Sequence, residues 1–256
     1  REPYLGIIGA PHMSTVSDHA PETGDPITTR SSLSERIYVD LRLALMSGTY
    51  EPGDKINIRK LSIASQTSST PVREAVMQLV REGALELKLG YQPRVPTLSA
   101  EQYIKIREVR APLERLATEL ATVRVSDAML ARLASLDQQF IDAERLCSWK
   151  EAMRANQEYH FLIYKASGND VLVRTIENLW LLTGPLVHKQ YLSARRTPSE
   201  TTLHRQIIDA LARRVPNEAG DLIVQDMRQG SAVILDHLRH PEPRGRGRRA
   251  APSTSQ

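Results

Sequence analysis

Small hydroxyl side chains, a proline and an arginine crowd into one stretch, SSTPVREAV, which runs from Ser68 to Val76. It opens an apolar pattern of helical period, so it predicts the first turns of a helix capped by Ser68 or Thr70. Pro71 is tolerated there because first-turn N–H groups have no partner within a helix. The free N–H groups and Arg73 together suit the binding of a phosphate group.

Residues 31–97 are predicted to form one unit around this helix. An apolar face with a spacing of four indicates a first helix ended by Gly48, and Asn57 begins a short second helix. The third helix ends at Gly83, and two short strands follow around a turn at Gly90. This order predicts a winged helix-turn-helix, in which the third helix enters the DNA major groove with its N-terminus first. The alternative is a surface helix with a good cap.

The composition limits the classes of function. The chain has 256 residues, 41% hydrophobic and 25% charged, as in ordinary soluble proteins. Its single cysteine, Cys147, excludes an intrachain disulfide and a cysteine-based zinc site, and fits a reducing compartment. No apolar run approaches the roughly 20 residues of a membrane span, so we expect a cytoplasmic protein without a membrane partner. The net charge is only +4, so any nucleic-acid affinity must come from local patches.

Both ends of the chain are polar. We interpret residues 1–12 as a cloning remnant before a natural start at Met13, and residues 14–30 as disordered because Ser, Thr, Pro and Asp dominate them. Residues 241–256 form a basic low-complexity tail. That tail is either a solvated segment or an additional nonspecific attraction to phosphate.

Residues 98–240 are predicted to be helical throughout. Ser99 caps the first helix, and apolar stripes of helical period recur from there to His240. The segment has neither strand-like alternation nor a Gly-rich phosphate loop. It predicts a bundle of six or seven helices that buries its own core, and therefore a mainly α fold for the whole chain.

The first unit resembles the DNA-binding domain of the GntR family of bacterial transcription regulators. The resemblance lies in LSERIYVDLRLALMSGTYEPGDKI, LSIASQTSSTPVREAVMQLVREGAL and the wing GYQPRV. The chain departs from the family at Ser62, Gln66 and Ser69, where Ala, Gly and often Arg are usual. Loss of that arginine removes one possible guanine contact. The resemblance implies that the DNA-contacting residues are Arg59, Ser68, Ser69, Thr70, Arg73 and Gly90.

The second unit resembles the helical FCD-type ligand-sensing domain of the FadR subfamily of GntR regulators. The landmarks are REVRAPLERLATELA, NQEYHFLIYKASGNDVL and LHRQIIDAL. The resemblance implies a homodimer on a near-palindromic double-stranded DNA operator. It also implies that a small organic or sugar acid is the effector; a fatty acyl thioester takes that role in a minority of the subfamily.

The resemblance also implies a divalent metal site in the bundle, which the family builds from one Asp and three His. At the matching positions this chain has Asn156, His160, His204 and Asp226. These offer up to four nitrogen and oxygen ligands, which suit Zn, Ni or Mn. His188 and His237 are the candidates if the register differs. The alternative is a metal-free pocket in which the two His and Asn156 bind the effector directly.

Two arginines on the first bundle helix are candidates to bind the effector carboxylate, Arg107 and Arg110. Arg110 could instead form an ion pair with Glu114, four residues later. Pro112 is expected to kink this helix or to lie near its start. Three aromatic residues either line the pocket or belong to the core: Trp149, Trp180 and Tyr191.

Two other classes of function compete with a transcription regulator. One is a metalloenzyme in which His160, His204 and Asp226 hold a hydrolytic metal, but the sequence has no clear general base or metallohydrolase motif. The other is an architectural DNA-binding protein without sequence preference. The modest net charge and the second domain argue against it.

Overall fold

A computed structural model describes residues 26–187 and 203–240 of the chain. These ranges contain nine α-helices and no strand, which confirms the mainly α fold. The helices are α1 Pro26–Met46, α2 Ile58–Ala64, α3 Ser69–Arg81, α4 Ala100–Thr122, α5 Asp127–Arg145, α6 Trp149–Ala166, α7 Asp170–Val187, α8 Leu203–Ala212 and α9 Pro216–Arg239. None of them combines the length and the hydropathy needed to cross a membrane.

The first three helices pack together and form the helix-turn-helix, and their apolar core is continuous with that of the bundle. Val72, Val76 and Leu79 of α3 are fully buried. Asn57 caps α2 by accepting a hydrogen bond from the Lys60 amide at 3.0 Å. The capping position of α3 is Ser68, although its side chain makes no capping hydrogen bond. Burial of one face therefore fixes α3, and its opposite face is left to solvent.

Gln66 occupies the turn between α2 and α3 with a φ of +50°. This left-handed backbone is the conformation that glycine adopts without strain and that costs other residues about 1–2 kcal/mol. The Gln66 amide donates to the carbonyl of Ile63 at 3.1 Å, and the Thr67 amide donates to that of Ser62 at 2.9 Å. The chain thus keeps the turn geometry even though it lacks the glycine usual at this position.

The two strands predicted for the wing are wrong in extent. The described residues contain only isolated bridges here, Glu86 with Arg94 and Lys55 with Arg94. The Glu86 and Arg94 amides each donate to the other's carbonyl, at 2.8 and 2.9 Å. On the other side, the Pro93 carbonyl accepts from the Ile56 amide at 2.7 Å, but Pro93 has no N–H to donate in return, and Leu89 at the tip is fully exposed. The wing is therefore a short hairpin.

The terminal predictions need one correction. Residues 26–30 were expected to be disordered, but they form the first turns of α1, where a proline at the first position is favoured. Residues 1–25 and 241–256, with the predicted cloning remnant and the two tails, lie outside the described residues. His188 and Tyr191 also lie outside them.

The remaining six described helices form the bundle, with α4 in its centre. Helix α4 packs against α6, α7 and α9, while α5 packs against α6 and α8. A capping box between Ser99 and Gln102 starts α4, and Pro112 is accommodated within the helix. Pro112 therefore does not mark a helix start.

Helix α7 also contacts the helix-turn-helix. A Cβ atom added at Gly184 would lie 2.5 Å from the carbonyl oxygen of Leu45, so no larger residue fits this close contact with α1. Arg42 of α1 donates from Nη1 to Asn178 of α7 at 3.1 Å and to Glu82 at 3.3 Å. Because Glu82 caps the end of α3, Arg42 connects α3 to the bundle.

Candidate functional site

Three predicted ligands from three helices converge at one point of the bundle. His160 lies on α6, His204 in the first turn of α8 and Asp226 on α9, and their donor atoms all lie within 4.8 Å of one another. His160 Nε2 is 3.3 Å from Asp226 Oδ2, and His204 Nε2 is 4.0 Å from Asp226 Oδ1. Both imidazoles are buried, whereas the Asp226 side chain is 22% exposed. We refer to these three residues as the His–Asp cluster.

Tyr159 holds the two imidazoles in place. Its ring stacks on that of His204 with 4.1 Å between centroids, and its hydroxyl donates to the His204 carbonyl at 2.8 Å. The rings of His160 and His204 meet edge to face at 5.4 Å. Burial, and then the charges of Asp226 and Asp137, raise the pKa of Tyr159 well above its usual value, so its hydroxyl remains a donor.

The donor set of the His–Asp cluster fits a divalent cation. Ligand atoms about 2.1 Å from a tetrahedral ion lie about 3.4 Å apart. The distance from His160 Nε2 to Asp226 matches this at 3.3 Å, whereas His204 Nε2, at 4.0 Å, would have to move closer to share the ion. Imidazole nitrogens and a carboxylate are ligands that first-row metals prefer. Asn156 lies one turn before His160 on α6 and is partly exposed. As an i, i+4 neighbour it shares the helix face of His160.

A buried polar network adjoins the cluster, with Glu114 of α4 at its centre. Glu114 is 1% exposed and accepts three hydrogen bonds: from Arg110 Nε at 2.6 Å, Trp180 Nε1 at 2.8 Å and the Tyr164 hydroxyl at 2.7 Å. Arg110 also donates to Thr183 at 3.0 Å, and its guanidinium lies 4.6 Å from the Trp180 ring centre. We refer to these five residues as the Glu114 network.

The tyrosine of this network reaches the cluster. The Tyr164 oxygen lies 3.3 Å from Nδ1 of His160, on the side of the ring away from Asp226. Burial, and then the charge of Glu114, raise the pKa of Tyr164 well above its usual value. The hydroxyl is therefore protonated and can donate to the carboxylate.

The ion pair weighed as an alternative for Arg110 is present. Arg110 is buried, and its Nε and Nη1 atoms donate to Glu114 and Thr183. Burial acts to lower the pKa of Arg110, but the charge and hydrogen bond of Glu114 outweigh it and raise that pKa. Arg107 is partly exposed, one turn earlier on α4. Trp180 belongs to the network, and Trp149 packs against a small core between α5 and α6.

Asp137 of α5 contacts the second imidazole and was not among the predicted site residues. This carboxylate is 2% exposed, with Oδ1 3.3 Å from His204 Nδ1 and Oδ2 3.2 Å from Arg205 Nε. The His204 nitrogen is buried without a hydrogen bond, because its alignment with Asp137 is poor despite the distance. The sequence does carry one signal for Asp137: it is an acidic residue on the apolar face of α5, next to Leu136 and Phe140.

The residues expected to contact DNA are exposed positions of α2, of the start of α3 and of the wing tip. Helix α3 presents its N-terminal end to solvent, while Pro71 and Val72 behind it are buried. The Gly90 backbone is left-handed at φ +78°, which permits the tight turn of the wing. All six are exposed: Arg59, Ser68, Ser69, Thr70, Arg73 and Gly90.

Two family models match this chain. Residues 33–91 match the model described as bacterial regulatory proteins, gntR family, and residues 105–229 match the FCD domain. The first match contains the helix-turn-helix with most of the wing, and the second contains the His–Asp cluster and the Glu114 network.

Named relatives match over most of their length. The HTH-type transcriptional regulator McbR of Escherichia coli strain K12 is 28% identical, over 79% of this chain and 93% of the relative. The Nta operon transcriptional regulator of Aminobacter aminovorans is 29% identical, over 74% of this chain and 89% of the relative. The solved structure of E. coli McbR/YncC has a TM-score of 0.74 at 26% identity, covering 80% of this chain and 98% of that one.

Proposed function

Because the chain belongs to the GntR family of bacterial regulatory proteins and carries an FCD domain, we propose that it is a ligand-responsive transcription regulator of the FadR subfamily. It binds a near-palindromic DNA operator in the cytoplasm as a homodimer and catalyses no reaction. Its effector is a small organic or sugar acid. The observation that carries the proposal is the convergence of His160, His204 and Asp226 inside the domain that the family uses to bind ligands.

We propose that the effector acid binds through a cation held by the His–Asp cluster. Asp226, His160 and His204, with Asn156 as a fourth ligand, would hold Zn, Ni or Mn. A cation there would supply positive charge and open coordination positions to the effector carboxylate. Arg107, partly exposed on α4, is the proposed guanidinium partner of the acid. Arg110, occupied by Glu114, would act through the network.

Operator binding tests the DNA-reading part of the proposal. Arg73→Ala is expected to weaken operator binding by about 1–3 kcal/mol, or roughly 5- to 150-fold, because the guanidinium lies in the first two turns of α3. The measurement is a fluorescence anisotropy titration at fixed salt, with DNA from the promoter region next to the protein's own gene.

Arg81→Ala is the matched control. Arg81 is an exposed arginine at the opposite end of the same helix, so its removal changes the net charge equally. We expect a loss of less than twofold for this variant. Equal affinity of Arg73→Ala and the wild type would overturn the assignment of α3 as the recognition helix.

A symmetric stripe of apolar residues, two on α4 and one at its C-terminal cap, supports the homodimer. Val109, Leu116 and Val123 recur at intervals of seven residues, which puts them on one side of the helix, and they are 51%, 44% and 63% exposed. The stripe is symmetric about Leu116. Two antiparallel copies of α4 related by a twofold axis would pair Leu116 with Leu116 and Val109 with Val123, as a self-complementary interface requires.

Leu116→Glu is expected to convert the dimer to monomers in sedimentation velocity, because two carboxylates would meet at the axis. In a Cys147→Ser background, Leu116→Cys should form a disulfide-linked dimer under mild oxidation. Val109→Cys alone should not, but its mixture with Val123→Cys should. A dimer that survives Leu116→Glu, with no Leu116→Cys crosslink, would place the interface elsewhere.

A further inference from the structure

The Glu114 network contacts His160, one of the candidate metal ligands, through the hydroxyl of Tyr164. A neutral imidazole carries one proton, and only the nitrogen without it can bind a cation. Hydrogen bonding of one nitrogen therefore decides whether the other is available. His160 has Nε2 directed at the cluster and Nδ1 directed at Tyr164.

The Tyr164 hydroxyl donates its only hydrogen bond to Glu114. The hydroxyl has one hydrogen and two neighbours, Glu114 Oε2 at 2.7 Å and His160 Nδ1 at 3.3 Å. A hydrogen bond to a carboxylate is stronger than one to a neutral group, and the shorter distance agrees. Glu114 Oε1 is already occupied by Arg110 and Trp180, so Oε2 takes the tyrosine hydrogen.

The Tyr164 oxygen therefore faces His160 with a lone pair. If Nδ1 also presented a lone pair, the two would repel at 3.3 Å in a buried site; a proton on Nδ1 turns the contact into a hydrogen bond. We propose that Glu114 and Tyr164 are positioning residues that hold His160 in its Nδ1–H tautomer, so that Nε2 presents a lone pair to the His–Asp cluster. This inference rests on the cation site proposed above.

The imidazole of His204 is oriented in the same way, with Nδ1 away from the cluster and Nε2 toward it. His204 Nδ1 lies 3.3 Å from Asp137 Oδ1, and its Nε2 is directed toward Asp226. Asp137 is not aligned for a hydrogen bond with His204, but its negative charge beside Nδ1 favours a proton on that nitrogen. Both rings therefore favour the same tautomer, with both Nε2 atoms toward one point. The Glu114 network, buried inside the bundle, thus helps to set which imidazole nitrogen faces the cation site.

The tautomer can be read directly by ¹⁵N NMR of the imidazoles in metal-free protein, at about pH 8, where an ordinary imidazole is neutral. The His160 signals are assigned by their loss in His160→Gln. We expect the Nδ1–H form in the wild type. In Tyr164→Phe, which removes only the hydroxyl, we expect His160 to lose this preference. An unchanged Nδ1–H form in Tyr164→Phe overturns the proposal, whatever the metal measurements give.

Glu114→Gln provides a test of opposite sign. The amide oxygen would remain with Arg110 and Trp180, so the amide NH₂ would face the Tyr164 oxygen. The tyrosine would then turn its hydrogen to His160 Nδ1, and the ring would carry its proton on Nε2. An Nε2–H tautomer in this variant supports the relay, and an Nδ1–H tautomer contradicts it.

The zinc affinity of the same proteins, measured by competition with a chromophoric chelator, tests the consequence. We expect a 10- to 100-fold loss in Tyr164→Phe, the range found when partners of metal-bound histidines are removed. Tyr103→Phe is the matched control, since Tyr103 is equally buried but donates to Ser231; its affinity should equal that of the wild type. Equal zinc affinity in Tyr164→Phe overturns the positioning role. Failure of the wild type to bind zinc overturns the cation site, whereas the NMR result still decides the tautomer.

Discussion

Glu114→Ala is expected to lower the free energy of unfolding by about 3–5 kcal/mol, because it removes one partner of a buried ion pair. The carboxylate balances the charge of Arg110 inside the bundle and accepts two further hydrogen bonds. Its removal leaves Arg110 buried without a counter-charge and leaves Trp180 and Tyr164 without their acceptor. Urea denaturation followed by circular dichroism measures the loss.

Glu119→Ala is the control on the same helix. Glu119 also forms an i, i+4 ion pair, with Arg115 at 2.8 Å, but its side chain is 26% exposed. Partly exposed pairs contribute about 0–1 kcal/mol, so this variant should remain close to the wild type. The double variant Arg110→Met, Glu114→Leu should recover only the part of the loss that comes from the unbalanced charge, because it removes both charges but leaves Trp180 and Tyr164 without their acceptor. If Glu114→Ala costs no more than Glu119→Ala, the network is not a buried charge site.

Removal of divalent cations is expected to destabilise the native protein. A ligand that binds only the folded state contributes RT ln(1 + [L]/Kd), or about 3–4 kcal/mol when the free cation is at roughly 100 to 1,000 times its Kd. For a chain of this size the corresponding fall in Tm is about 6–15 °C. The measurement is thermal unfolding of zinc-saturated protein before and after addition of excess chelator.

His160→Ala should abolish the chelator effect, because only two of the three cluster ligands then remain, which is too few to hold the cation. His240→Ala is its control. The His240 imidazole follows the end of α9 and also lies 3.2 Å from a carboxylate, that of Asp236, but both side chains are exposed. A chelator effect as large in His160→Ala as in the wild type would place the cation outside the cluster.

Most of the helices were predictable because each leaves a local signal. The period of the apolar residues, the caps Asn57 and Ser99 and the left-handed Gly48 and Gly83 depend on near neighbours in sequence. The length of the two wing strands was overestimated, because a strand extends only as far as each successive residue finds a hydrogen-bonded partner on the other strand. The start of α1 at Pro26 was missed because polar composition alone does not separate a surface helix from a disordered tail.

The site was predictable only in part. His160 and His204 could be assigned by resemblance to the family, but the packing of α6, α8 and α9 brings their nitrogens together with Asp226. The roles of Tyr164 and Asp137 depend on contacts between residues far apart in sequence. Nothing local distinguishes Tyr164 from an ordinary core residue, and the apolar face around Asp137 indicates that it is buried but not which residue it contacts.

Calorimetric titration of Zn²⁺ into chelator-treated, dialysed protein tests the central claim most directly, because it counts the ions that the cluster holds. The account predicts saturable binding of about one ion per chain in the wild type, as three or four nitrogen and oxygen ligands around one point require. It predicts that this binding is lost in His160→Ala. Wild-type protein that shows no saturable binding, or His160→Ala protein that binds zinc as tightly as the wild type, would contradict it.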